Sequence, residues 1–167
     1  MKDNEAGTHQ LKTISLRTGW PLLAMFVVGV IAAGLVVGLI AAPPEGYLET
    51  LRIPDLIIPP AISGPLWLAL SLAFAVAGWR LWTVDPMSIE TRIWLAIQIL
   101  SWWFSPAFFV MRAPAVALVV IGALCVLMLW FIVRAWRRDR VSAWLFIPCL
   151  LYVGYTAAMT AAIVVMN

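Results

Sequence analysis

Charge is scarce in this chain. Of 167 residues, 11% are Asp, Glu, Lys or Arg, and there is one histidine. A soluble domain carries roughly 25% charged residues. With 64% of its residues hydrophobic, a water-soluble fold would have nowhere to put the apolar surface. The two cysteines, Cys125 and Cys149, fall inside apolar runs and lack the spacing of a disulfide framework or a zinc site. They read as small apolar fillers. No Asp, Glu, Lys, Arg or His stands near the middle of an apolar run, whereas ion and proton pathways are marked by such residues. A glycine-rich phosphate loop, a nucleophile–base pair and an internal repeat are also missing. These absences argue against a pump, a hydrolase, a metalloenzyme and an inverted-repeat transporter. They permit an apolar or aromatic ligand. A net charge of +3 gives no reason to expect nucleic acid, and no obligatory cofactor is expected.

What the chain does have is five apolar stretches, roughly 20–42, 62–82, 93–111, 114–136 and 141–166. About 20 apolar residues cross a bilayer core of about 30 Å. Every crossing must be helical, because lipid offers no partner to an unpaired backbone group. The expected fold is an all-α membrane protein, a five-transmembrane-helix bundle (20–167) in contact with the lipid bilayer, behind a short polar tail (1–19). The first stretch is too long for the apolar core of a signal peptide, and Ala41-Ala42-Pro43-Pro44 is a poor cleavage site. An uncleaved first helix is therefore expected, and His9 should be solvated in the tail.

The gaps between stretches alternate in charge. The tail (Lys2, Lys12, Arg17), the second gap (Arg80, Arg92) and the fourth gap (Arg134, Arg137, Arg138, Arg140) are basic, while the opposite side has only Arg52 and Arg112. Basic loops stay cytoplasmic. The N-terminus is therefore expected in the cytoplasm and the C-terminus outside, in the periplasm if the membrane is a bacterial inner membrane. The arginines of the fourth gap read as a topology anchor rather than a lipid-headgroup site.

The first connection, 43–61, is the only long one. Pro43, Pro44, Pro54, Pro59 and Pro60 stiffen it, so it is either a lid over one end of the bundle or a rigid connector. Arg112-Ala113-Pro114 barely allows a turn, which makes the third and fourth helices antiparallel neighbours. Gly34-x-x-x-Gly38 offers a close helix approach, either to a second copy or within the chain. Six of ten tryptophans (Trp20, Trp79, Trp82, Trp94, Trp136, Trp144) sit at helix ends on the basic side as an interfacial belt. Trp67, Trp102 and Trp103 do not fit that belt, and at least one of these rings should face the bundle interior. Polar residues share their faces at helical spacing: Ser63, Trp67 and Ser71; Gln98, Ser101, Trp102 and Ser105; Tyr152, Tyr155, Thr156 and Thr160. Each stripe alone reads as interhelical hydrogen bonding. Together, beneath a stiff loop, they point to a cavity.

The run Tyr47-x-x-x-Leu51-x-x-Pro54-x-x-x-x-Pro59 followed by Gly64-Pro65-Leu66-Trp67, then Ser101-Trp102-Trp103-Phe104-Ser105-Pro106-Ala107-Phe108-Phe109 with Arg112, then Phe146-Ile147-Pro148-Cys149-Leu150-Leu151-Tyr152, resembles the translocator protein family of tryptophan-rich sensory proteins (TspO/MBR) over residues 20–167. The resemblance implies a five-helix bundle, often a homodimer. It also implies a pocket under the first loop for porphyrin-type tetrapyrroles, and for cholesterol in animal members. Carried over by position, that pocket would use Tyr47, Trp67, Ser101, Trp102, Phe104, Tyr152 and Thr156. The chain is a divergent, bacterial-type member. Tyr47 stands where the family commonly has Trp, Leu48 where it has Tyr, and Ser101 where it has Asn. Phe104 and Tyr152 replace Trp, Thr160 replaces Asn and Cys149 replaces Tyr. Losing Trp at pocket positions weakens the case for photochemistry. Neither Tyr152 nor Tyr155 is followed by a basic residue, so the proposed cholesterol motif is missing from the fifth stretch; its reversed form at Arg140, Phe146 and Leu150 is a pattern that matches often by chance.

Four functions fit these residues: a binding protein or sensor for a tetrapyrrole or similar flat apolar ligand, an enzyme breaking porphyrin down in light, a structural partner of other membrane proteins, and a passive exporter. Orientation is open to direct measurement. A reporter fused after Asn167 should read as periplasmic and one before Met1 as cytoplasmic. The opposite pattern would show that charge bias does not set orientation here.

Overall fold

The computed structural model describes residues 16–54 and 58–167. The expected polar tail therefore lies largely outside the described residues, as do His9 and the stretch 55–57 of the first loop. Five helices make up the rest: α1 (Leu16–Ile40), α2 (Pro60–Val84), α3 (Ile89–Ser105), α4 (Pro114–Arg138) and α5 (Arg140–Met166). Each is long and apolar enough to cross a membrane, α3 together with its continuation to Val110. Two ends differ from expectation by four residues. α1 begins at Leu16, inside the span read as tail, and α3 begins at Ile89 because Ser88 caps it, its hydroxyl accepting from the Thr91 N–H.

The helices form a ring in the order α1, α2, α5, α4, α3. The seam between α1 and α3 is the loosest, and α1 is nearly all turned outward. One end of the ring carries the α2–α3 and α4–α5 turns and is the basic end. The other carries the first loop, the α3–α4 turn and Asn167, and is the loop end.

Packing is tightest at the basic end. Phe146 stacks between Phe131 and Phe74, with ring centroids 4.0 and 4.7 Å away. The Trp94 indole lies against Gly78, where a Cβ would overlap the ring, and its N–H donates to the Phe74 carbonyl at 3.0 Å. Glycine at 78 is what leaves room for the Trp94 ring between α2 and α3.

Ion pairs close the same end. Arg80 grips Asp139 with two hydrogen bonds of 2.8 Å. Asp139 also caps α5, accepting from the Val141 N–H and the Ser142 hydroxyl. Burial alone would raise the Asp139 carboxyl, but the bonds from Arg80 and Ser142 and the charge of Arg80 outweigh it and hold it below the usual carboxylate range. Glu90 is buried and accepts from Arg134 and Arg138, each at 3.1 Å, while Arg138 reaches Asp85 as well. Two of the four arginines read as a topology anchor also clasp α4 to the start of α3, and Arg138 to the α2–α3 turn.

α3 does not stop cleanly. Pro106 has no N–H to give the Trp102 carbonyl, and the chain widens into a π-turn, Pro106–Val110, with Met111 N–H donating to the Pro106 carbonyl at 2.9 Å. Arg112 then turns the chain at a φ of 49°, and α4 starts two residues on.

The Gly78 contact gives a stability prediction. Gly78→Ala should lower the thermal midpoint in detergent, because overpacking a fitted contact costs about 1–3 kcal/mol. Gly122→Ala, where a Cβ meets nothing, should leave it unchanged or raise it slightly. Equal midpoints for the two variants would show that the Trp94 seat is soft.

Candidate functional site

Between the packed basic end and the loop end the ring holds a partly open cavity of about 570 Å³, lined from all five helices. That is within the roughly 300–1,000 Å³ range of small-molecule sites. Among the described residues no Asp, Glu, Lys, Arg or His lines it. Trp67 enters from α2 and rests on Gly34 of α1, where a Cβ would stand 2.5 Å from the ring. The Gly34 notch is therefore filled from within the chain, while Gly38, on the same face, lines the cavity.

Six of the seven residues carried over from the family line this cavity: Trp67, Ser101, Trp102, Phe104, Tyr152 and Thr156. Tyr47 does not. A turn closed by its N–H on the Pro44 carbonyl drives its ring into a cluster with Ala107, Phe108, Ala117 and Ile163 at the loop end, and the Arg112 guanidinium lies 5.6 Å over it. Trp103 points outward.

The polar stripes are spent differently from an interhelical network. The Ser101 hydroxyl donates to the Gln98 carbonyl, Thr156 to Tyr152 and Thr160 to Thr156, all within their own helices. The Cys149 thiol lies 3.4 Å from the Leu145 carbonyl of its own helix and 3.8 Å from the Leu70 carbonyl of α2. Two buried polar atoms on α3 stand apart. The Gln98 side-chain oxygen and the Trp102 indole N–H are both buried and have no partner in the chain. They stand at i and i+4 on one face. A buried polar atom left unpaired costs about 1–3 kcal/mol, so a ligand that bonds either atom gains where the empty protein loses. Gln98 belonged to a polar stripe in the sequence, but nothing there showed that its neighbours would leave it unpaired.

The first loop is tied down over this end. The Asn167 side chain accepts from the Arg52 N–H at 2.9 Å and donates to the Arg52 carbonyl at 3.2 Å. The Tyr155 hydroxyl accepts from the Ile58 N–H at 3.0 Å. With Tyr47 buried on the far side, the described part of the loop is held to α5 and to the α3–α4 turn. Tyr155 thus serves the loop, although its stripe-mate Thr156 lines the cavity.

A family model, the TspO/MBR family, matches residues 26–166. The chain belongs to the TspO/MBR family. It is an integral membrane protein in contact with lipid, and membership supports a general role in binding or sensing tetrapyrroles or sterols at the membrane. No curated protein matches the chain.

The loop ties can be tested apart from any ligand. Asn167→Ala should speed amide exchange at Arg52 about two- to tenfold, since each lost neutral hydrogen bond is worth about 0.5–1.5 kcal/mol. Helix amides near Gly78 should not change. Unchanged exchange at Arg52 would mean that the loop is held without the Asn167 side chain.

Proposed function

We propose that the chain is a membrane binding protein or sensor for porphyrin-type tetrapyrroles or similar flat apolar ligands, taken up in the cavity beneath the first loop. The observation that carries this reading is the pairing of two indoles, Trp67 and Trp102, from different helices across a cavity free of charge among the described residues. A flat π-system gains from stacking on such rings about 0.5–1.5 kcal/mol beyond the area it buries. Phe104 and Tyr152 extend the aromatic wall, and Ser101 and Thr156 line it with hydroxyls already bonded to their own helices. Tyr47 acts at one remove, by holding the loop end closed. Family membership supports the ligand class.

The same reading puts the basic end in the cytoplasm and the loop end in the periplasm of a bacterial inner membrane, following the charge of the connections. A homodimer, as implied by the family, would have to use a face other than the Gly34 notch, which Trp67 occupies.

Tryptophan quenching by protoporphyrin in detergent tests the site. It should saturate in the parent protein. Trp67→Ala and Trp102→Ala should each weaken binding at least about tenfold, which corresponds to about 1.4 kcal/mol. Trp82→Ala, on the outside of the basic end, should change it little, and Ser101→Ala less than either cavity tryptophan. If folded Trp67 and Trp102 variants bind as tightly as Trp82→Ala, the cavity is not the site.

A further inference from the structure

The ring is weakest between α1 and α3, and a second hollow lies there. It measures about 310 Å³ and is lined by apolar side chains together with Gln98 and Trp102. Those two residues and Val30 line the central cavity as well. They therefore form a partition with one face toward each volume. Gln98 is 7% exposed. Its side-chain oxygen and the Trp102 N–H are the unpaired acceptor and donor already described.

We propose that the α1–α3 cleft is a second binding site, taking the alkyl chain of a single-chain amphiphile from the bilayer, with the amphiphile's hydroxyl or protonated carboxyl group seated at Gln98 and Trp102. Three observations converge on that occupant. The cleft walls are apolar on a helix that otherwise faces lipid, so a hydrocarbon chain reaches the cleft without leaving an apolar medium. Among the buried side-chain polar atoms of the described cleft residues, the two left unpaired are one acceptor and one donor, one helical turn apart. A group that both donates and accepts satisfies the two at once: its O–H donates to the Gln98 oxygen, and its oxygen accepts from the Trp102 N–H. An alkane satisfies neither, and a permanently charged headgroup would have to be stripped of water at a depth where no counter-charge stands among the described residues. The site is separate from the porphyrin reading, although the two share a wall.

Gly29 supplies the decisive variant. It lines the cleft but not the central cavity, and a Cβ there meets nothing within 4 Å. Gly29→Leu therefore fills the cleft without a clash at its first atom. The full chain in lipid nanodiscs would be photolabelled with hexadecanol carrying a mid-chain diazirine, and in parallel with the hexadecane analogue carrying the same group. Labels from the alcohol should fall on Met25 and Leu95 about fivefold above Leu151 and Val165, which are exposed on α5. A fivefold preference corresponds to about 1 kcal/mol. The alkane should label all four positions alike. Gly29→Leu should abolish the excess, and Gln98→Leu should make alcohol and alkane equal while the protein stays folded and monodisperse. An even spread of the alcohol's label over α1, α3 and α5 overturns the proposal, and so does an excess that survives Gly29→Leu. Protoporphyrin quenching measured on the same Gly29→Leu protein keeps the two readings apart: loss of labelling with normal quenching concerns the cleft alone.

Discussion

Inside hydrocarbon an apolar side chain gains nothing by exchanging lipid for a neighbouring helix, so a bundle is held by close fit and by polar pairs. That constraint decides where this protein is dense and where it is hollow. Close fit appears at two glycines: Gly78 receives Trp94, and Gly34 receives Trp67. Polar pairs gather at the ends, where Arg80 holds Asp139, Glu90 holds Arg134 and Arg138, and Asn167 holds the backbone of Arg52. Between these two zones the helices have little to pull them together, and the central cavity lies there.

The same logic bears on the few polar side chains of the mostly apolar cavity wall. A hydroxyl on a membrane helix needs a partner, and Ser101, Thr156 and Thr160 find theirs on their own backbone. Their helices can then stand apart. Among the described residues, the Gln98 side-chain oxygen and the Trp102 N–H are the buried atoms of this wall left unpaired, and their residues also line the cleft between α1 and α3. The ion pairs at the basic end act against this openness by fixing α2, α3, α4 and α5 relative to one another. α1 lies outside those pairs and closes the ring mainly through its contact with α2.

The five helices were legible because each apolar run is long enough to span a bilayer and each gap holds charge or proline. Their ends were less so. The start of α3 depends on the Ser88 cap, and Glu90 reads as a gap charge until Arg134 and Arg138 arrive from α4, more than 40 residues away. The stripes placed Trp67, Ser101, Trp102, Tyr152 and Thr156 toward one interior because helical spacing fixes relative direction, whereas Phe104 came from the family resemblance alone. Tyr47 lies in a proline loop with no period, so its direction was not readable, and it turned to the α3–α4 side. Gly34 and Gly38 share a face in sequence, but which of them is filled depends on Trp67 of another helix. The unpaired state of Gln98 depends on what its neighbours withhold, which no local pattern records.

The central claim is that the cavity between Trp67 and Trp102 takes a flat apolar ligand. Fluorine NMR of the protein made with 5-fluorotryptophan tests this most directly, because a porphyrin ring current shifts only the indoles beside it. Titration with protoporphyrin should move the Trp67 and Trp102 signals saturably while those of Trp20, Trp103 and Trp144, all exposed on the outside, stay in place. Movement confined to the outer tryptophans, with Trp67 and Trp102 unmoved at saturation, would contradict the account.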